Sequence, residues 1–438
     1  MFASDELDRL VTAAQAERRL PSLSAAVFHG GEVVWTRAIG LADLERGEQA
    51  SPEHAYRIGS ITKTFTAVCI LQLRDAGLVG LDAQLRAYVD EAPEGPTVRQ
   101  ALAHLSGIQR EPPGEIWETL APPSRQELLD RLREVERVLA PGETWHYSNL
   151  AFALLGEIVA RTGGAPYREY LQARVLDPLG LTRTTFTPSD PAARGYFVDP
   201  YSDVAQPEPD LVMSDSTAAL GQLWSTTADL AAWGSFIAAG RDEVLARTTL
   251  DEMARVQTMA DQTTWTLGWG LGLELFRSGD RVLVGHGGAM PGYLSGLAVE
   301  REHGVGAAVL TSASTNAKAE DLAVNLVCTA LDELPADHHT WTPGSEPPPE
   351  TRELLGVWWT EGSELVFSHL DGRLRATLVA GPTGRNVSWF EHEAPDLFRV
   401  VEGRERGEQL RVVRDDAGTV VKLYFATYPV TRSPQTFG

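Results

Sequence analysis

Ser60 and Lys63 stand three residues apart in Tyr56-Arg57-Ile58-Gly59-Ser60-Ile61-Thr62-Lys63-Thr64-Phe65-Thr66-Ala67, and on a helix that spacing makes their side chains neighbours. A serine hydroxyl attacks a carbonyl usefully only when a base takes its proton, and lysine can be that base only when neutral. Its ordinary pKa of about 10.4 is too high for neutral pH. Burial and nearby positive charge lower it, and a drop of about 3 units costs roughly 4 kcal/mol at 1.36 kcal/mol per unit. The plainer reading is a capping serine followed by a lysine that reaches back to water. Lys63, Lys318 and Lys422 are the only lysines in the chain, so a chance Ser-x-x-Lys is rare, and this one heads an apolar stretch.

An acylated serine also needs a further polar group on the proton path, a donor for the substrate and an oxyanion hole. Pro141-Gly142-Glu143-Thr144-Trp145-His146-Tyr147-Ser148-Asn149-Leu150 offers Tyr147 and Asn149, alternating just before a helix, where both can face one cleft. The bland alternative makes Asn149 the cap of that helix. Gly285-His286-Gly287-Gly288-Ala289 follows a strand over Val282 to Val284, and its glycines permit close approach of backbone to substrate. There the N–H of Ala289 can pair with that of Ser60 as oxyanion donors, the alternative being a β-turn with an exposed histidine. No histidine spacing such as His-Glu-x-x-His occurs, so no metal and no cofactor are assigned. Trp117 and Trp224 are candidates for the pocket border, with core or surface packing as the alternative for each.

These groups need elements to position them. From Ser60 to Ala76 no Gly or Pro intervenes, and Ile61, Phe65, Val68, Cys69, Ile70, Leu71 and Leu73 make the helix apolar almost all round, hence buried. Residues 5–19 read as an amphipathic helix, and Ser24 to Phe28 and Val33 to Ala38 as a hairpin across Gly30-Gly31. Further helices are expected over Thr97–Leu105, Arg125–Val138, Leu150–Arg161, Tyr167–Val175, Ala228–Ala239 and Ala317–Leu331. Strands are expected over Trp269–Phe276, Val282–Val284, Gly296–Glu300 and Val305–Ser312. Strands at both ends of a helical middle predict one sheet built from distant segments, with a helical lobe inserted. A Pro-rich linker over 335–351 separates this domain, residues 1–334, from a tail at 352–438. Short alternating runs in the tail, at Leu365–Phe367, Leu374–Leu378, Leu397–Val400, Leu410–Val413 and Val420–Phe425, predict a small all-β barrel or sandwich.

The chain has 438 residues, 43% of them apolar and 22% charged, and a net charge of -22. Such a balance describes a soluble globular protein and argues against nucleic acid or an anionic membrane as partner. Cys69 and Cys328 are the only cysteines, too few for a disulfide framework. No apolar h-region or membrane span is visible, which leads to the expectation of a cytoplasmic protein.

In order, Ser-x-x-Lys, Tyr-x-Asn and His-Gly-Gly resemble the three motifs of the penicillin-recognising serine hydrolases, in the family of class C β-lactamases, DD-peptidases, D-aminopeptidases and related esterases. Tyr56–Ala67, Thr97–Ile108, Pro141–Gly163, Leu176–Thr184 and Gly285–Gly292 carry the likeness, over roughly residues 10 to 332. The tail resembles the lipocalin-like β domain of some members. The resemblance implies an α/β (α+β) fold, an antiparallel sheet flanked by helices. It implies Ser60 as the acylated nucleophile, with Lys63 and Tyr147 sharing proton transfer. Asn149 would contact the substrate carbonyl and help position Lys63, His286 and Gly288 would line the far wall, and Ser60 and Ala289 would supply oxyanion N–H groups. Where this chain has His286-Gly287-Gly288, the β-lactamases and many DD-peptidases have Lys-Thr-Gly. That lysine suits a substrate carboxylate, whereas histidine near pH 7 is mostly neutral. The expected function is therefore an esterase-like serine hydrolase acting through an acyl-enzyme on small esters or amides. The alternatives are a D-aminopeptidase or DD-peptidase type of enzyme on short peptides, a weak β-lactamase, or a non-catalytic ligand binder. Oligomeric state is left open: the β domain either caps its own cleft or pairs with another subunit of a homo-oligomer.

Overall fold

The computed structural model describes residues 4–209, 211, 213–334, 341–382 and 385–435, so positions 335–340 of the linker expected over 335–351 lie outside the described residues. Two compact units make up the chain, Met1–Pro335 and Ala336–Gly438. Among the described residues of the first, nine strands form one sheet in the order Glu48–Gln49, Glu32–Asp43, Ser22–His29, Val305–Thr311, Tyr293–Glu300, Arg281–Met290, Glu274–Ser278, Leu267–Trp269 and Thr258–Met259. Every described strand pairing within this sheet is antiparallel, and Ser22–His29 lies directly beside Val305–Thr311, joining the two ends of the domain. One face packs against helices Ser4–Glu17 and Ala319–Asp332 through Leu7, Val11, Leu322 and Leu326. Helix Thr227–Ala239 contacts strands Ser22–His29 and Val305–Thr311.

The helical lobe centres on Thr62–Asp75, in which all but three of fourteen residues are buried. Its polar side chains are tolerated because each hydroxyl has a partner. Thr64 Oγ1 donates to Ile61 O (2.8 Å) and accepts from Trp233 Nε1 (2.9 Å), and Thr66 Oγ1 donates to Ala219 O (2.7 Å). Phe65 stacks on Trp233 at 3.7 Å between ring centroids.

Several elements differ from the sequence expectation. The helix expected over Arg125–Val138 stops at Arg131, passes through a 3-10 turn at Leu132–Glu134, and is extended by Val135; Ile108 then bridges Arg137. Tyr167–Val175 is an α-helix only to Leu171 before widening into a π turn over Gln172–Leu176. Trp269–Phe276 is two strands, Leu267–Trp269 and Glu274–Ser278, folded back on each other through Gly272 at φ +74°. The strand expected to end at Val284 runs on as Arg281–Met290, so His286, Gly287 and Gly288 are strand residues and not a turn after one.

In the second unit the described strands form an eight-stranded antiparallel sheet in simple sequence order, from Gly356–Thr360 to Tyr428–Val430. Trp359 and Thr431 exchange backbone hydrogen bonds of 2.7 and 3.0 Å, which joins the first strand to the end of the last and nearly closes a barrel. Trp358, Phe367, Phe390 and Phe398 fill its core. Pro349–Arg352, at the end of the expected linker and the first residue of the expected β domain, is a helical turn.

Candidate active site

Gly59 approaches the strand carrying His286 so closely that a Cβ on it would lie 2.6 Å from Ala289 N, and its φ of +50° is one that glycine accepts without penalty. The Gly59–Ile61 turn then delivers Ser60 at the head of the Thr62–Asp75 helix. Ser60 makes no capping bond there, which removes the plain capping explanation. Lys63 is wholly buried, and its Nζ donates to Ser60 Oγ (3.0 Å) and to Leu220 O (2.7 Å).

Tyr147, from the remote loop, lines the same cleft as Ser60 and brings its phenol near that hydroxyl, and its ring centroid lies 5.0 Å from Lys63 Nζ. Ser148, not Asn149, caps the following helix, its Oγ accepting from Ala151 N (3.1 Å). That leaves Asn149 for the cleft, where Nδ2 donates to Glu111 Oε1 (2.8 Å) and Oδ1 is buried without a partner. The expected contact of Asn149 with Lys63 is replaced by this bond to Glu111, because the loop after Gln109 swings a carboxylate into reach. Ser60, Tyr147, Asn149, His286, Gly288 and Ala289 line one cleft of about 1010 Å³.

Electrostatics separate the roles these groups can take. Burial, with some help from Arg110 and against the pull of Glu111 and Glu274, lowers Lys63 to about 7. Burial pushes the Tyr147 phenol well above its ordinary value, only partly offset by the nearby Ser60 hydroxyl. Near neutral pH, then, the amine beside Ser60 is poised between its two forms while the phenol keeps its proton. His286 is lowered to about 3 by burial and by Lys63, so its ring is neutral. Its Nδ1 lies 2.6 Å from Gly287 O.

Gly288 is glycine because a Cβ there would lie 2.0 Å from Ile58 O and 2.3 Å from Ser295 Oγ. At Gly287 a Cβ would fall 1.2 Å from Glu320 Oε1, so the Glu320 carboxylate fills the space a side chain at 287 would take. Glu274 Oε2 accepts from Gly287 N (3.3 Å). Burial raises both carboxyls, Glu320 further through Asp321 and Glu274 further through Glu320. Sequence reasoning missed Arg110, Glu111, Glu274 and Glu320, all of which line the cleft. A usable signal existed for Glu274, a carboxylate between Leu273 and Leu275 in a short apolar strand. Trp117 lines the cleft, whereas Trp224 is packed edge-on to Tyr293 at 5.3 Å and buried away from it.

Outside the cleft, the one described grouping with metal-ligand chemistry is Glu300, Glu302 and His303. There the Glu300 carboxylate already accepts from the N–H groups of Glu302 (3.0 Å) and His303 (2.8 Å).

A family model described as Beta-lactamase matches residues 7–330. The chain belongs to the beta-lactamase family. Its antiparallel sheet with inserted helical lobe is the fold that the resemblance in the sequence implied, and a second family model, described as a domain of unknown function, matches residues 347–432. Among curated relatives of this beta-lactamase-family chain, Esterase EstB of Burkholderia gladioli is 33% identical over 46% of this chain, which spans 55% of that esterase's length. A D-aminopeptidase of Brucella anthropi is 28% identical over 95% of this chain and 78% of its own. Among solved structures, an octameric penicillin-binding protein homologue from Pyrococcus abyssi matches with a TM-score of 0.69 at 23% identity, covering 98% of this chain and 100% of that one; it bears on the fold alone. Among the described residues no helix is long and apolar enough to cross a membrane.

Proposed function

We propose that this chain is a serine hydrolase that works through an acyl-enzyme on small esters or amides. The observation that carries the reading is the 3.0 Å bond between a wholly buried, near-neutral Lys63 and the Ser60 hydroxyl. Neutral Lys63 Nζ takes the Ser60 proton as Oγ bonds to the carbonyl carbon, and the oxyanion is held by the N–H groups of Ser60 and Ala289. When the tetrahedral intermediate collapses, Tyr147 gives its proton to the leaving group and is reprotonated from Lys63. Water admitted to the cleft then frees Ser60. The raised phenol supports Lys63 rather than Tyr147 as the base for acylation. Asn149 holds the substrate carbonyl side with Nδ2, and His286 and Gly288 form the far wall. No cofactor is needed for these steps.

Substrate preference follows from that wall. A neutral His286 offers no fixed positive charge, and Glu320 places a carboxylate where Gly287 has no side chain. A carboxylate on the substrate is therefore disfavoured, which supports the esterase and D-aminopeptidase readings over penicillin or DD-peptide hydrolysis. The test is a panel of nitrophenyl esters, D-amino amides and penicillins. The uncharged esters and the amides should be turned over fastest. At pH 8, above the value of about 7 to which burial raises Glu320, Glu320→Gln should raise kcat/KM for carboxylate-bearing substrates about tenfold relative to uncharged ones, one screened charge being worth about 1–2 kcal/mol. Penicillin as the best substrate would reverse the assignment, and no turnover or adduct with any of them would favour a ligand binder.

Gly59 offers a separate check on the oxyanion hole. Gly59→Ala should lower kcat about 100-fold, the cost of misplacing one donor, because its Cβ would push Ala289 N away from Ser60 N. An unchanged kcat would remove Ala289 from that role.

The proposed division is a hydrolase domain at 1–334, a linker at 335–351 and a lipocalin-like β domain at 352–438, supported by the two compact units. A cytoplasmic location is the reading the two unpaired cysteines favour. Assembly into a homo-oligomer is proposed as the question for sedimentation analysis.

A further inference from the structure

His104 is wholly buried beneath the cleft and belongs to none of the three motifs. Its backbone carbonyl accepts from His146 N (2.8 Å), and its Nδ1 accepts from Ser148 N (3.0 Å). Those are the residues immediately before and after Tyr147. Its ring lies nearly flat on the Tyr147 phenol, 4.2 Å between centroids at 27°, and Trp269 meets the same ring edge-on at 5.0 Å. The neighbouring residues extend the lacing, with Gly142 N donating to Leu105 O (2.8 Å) and Leu139 N to Gly107 O (3.1 Å). To present both acceptors to one loop, His104 adopts φ +56°, a left-handed conformation that few residues other than Gly, Asn, Asp and His take up readily.

From this geometry we infer that His104 is the positioning residue for Tyr147, gripping the tyrosine loop on both sides while its ring sets the plane of the phenol. The inference rests on the proposed role of Tyr147 in proton transfer. An imidazole suits the task because it offers an acceptor and a flat face in one side chain. Accepting from Ser148 fixes the proton on Nε2, and burial together with Lys63 keeps the ring neutral. The ring can thus lie on the phenol without adding a second positive charge beside Lys63. Without the acceptor, the Ser148 N–H is left buried and unpaired, which is relieved only if the loop moves. A shift of about 1 Å at a reacting group is enough to cost about 100-fold in rate.

Three substitutions separate the parts of the grip. His104→Asn keeps a side-chain acceptor and tolerates the left-handed backbone, His104→Phe keeps the flat ring without the acceptor, and His104→Ala keeps neither. With a nitrophenyl ester, and with rates expressed per titrated active site, His104→Ala should lose about 100-fold in kcat while KM moves less than about threefold. His104→Asn should recover at least about tenfold of that loss. A merely structural role would lower the melting temperature and leave kcat per site unchanged, so a His104→Ala kcat within about threefold of the parent overturns the inference. If His104→Ala does not fold, the Asn and Phe variants decide it, and parental kcat in both overturns it equally. If the parent protein itself shows neither turnover nor adduct, the proposed function fails separately. The crystal structure of a His104 variant then tests the grip, a displaced Tyr147 hydroxyl supporting it and an unmoved one refuting it.

Discussion

Ser60→Ala should abolish acyl-enzyme formation and lower ester hydrolysis by at least about 10⁴-fold, the scale on which removal of a covalent nucleophile acts. The protein should remain folded. Ser60 is half-buried and its hydroxyl serves no cap, its described hydrogen-bond partner being Lys63. What remains after the change is the cleft with its proposed oxyanion donors and the buried Lys63, with no atom at position 60 to acylate. Burst kinetics with a nitrophenyl ester check this directly. The parent should release about one equivalent of nitrophenol per site before the steady state and the variant none. A persistent burst in the variant would mean that another residue is acylated.

Lys63→Met should lower the acylation rate about 10³-fold, within the range a general base contributes, and make the protein more stable. Both effects have one cause. Burial without a charged partner in contact holds Lys63 near 7, against an unfolded value of about 10.4. Because the folded pKa lies below the unfolded one, the unfolded chain binds more protons between those limits, and stability rises with pH across the window from about 7 to about 10.4. The penalty is fully present below about 7 and amounts to roughly 5 kcal/mol as an upper bound, at 1.36 kcal/mol per unit. Methionine carries no such penalty, so the melting temperature of Lys63→Met should exceed that of the parent most clearly at pH 6, and the gap should narrow toward pH 10. Activity of the parent should follow the neutral amine, falling about tenfold per pH unit below 7. A variant that is less stable at pH 6, or a parent with a flat rate profile from pH 5 to 8, would contradict the assignment of Lys63 as the base.

The parts of this arrangement that were legible in the sequence are those set by local spacing. Ser60 and Lys63 sit one helical turn apart whatever surrounds them, and the apolar run from Ile61 to Leu73 announces that the turn is buried. Tyr147 was legible as a candidate, but not its contact with Ser60, which depends on how His104 and Gly107 lace down the 138–148 loop. Glycine misled where it was read as punctuation. Gly287 and Gly288 do not end the strand at Val284. They keep it free of side chains where Ile58, Ser295 and Glu320 press against it, and a single sequence does not distinguish a glycine that turns from one that makes room. The over-long helix at Arg125–Val138 had the right periodicity, but the chain leaves it after Glu134 so that Arg137 can bridge Ile108, a long-range pairing that local propensity does not encode. Glu320 was invisible for the same reason. It lies 33 residues past Gly287 in the sequence, at the start of a helix that brings it back against that strand.

In the proposed reaction the Ser60 hydroxyl is acylated because the buried amine of Lys63 beside it is ready to take its proton. Incubation of the parent protein with a fluorophosphonate, followed by proteolysis and mass spectrometry of the modified peptide, tests it most directly. A single adduct is expected on the peptide containing Ser60, forming faster as the pH rises through 7. An adduct on any other residue, or none on a folded protein, would contradict it.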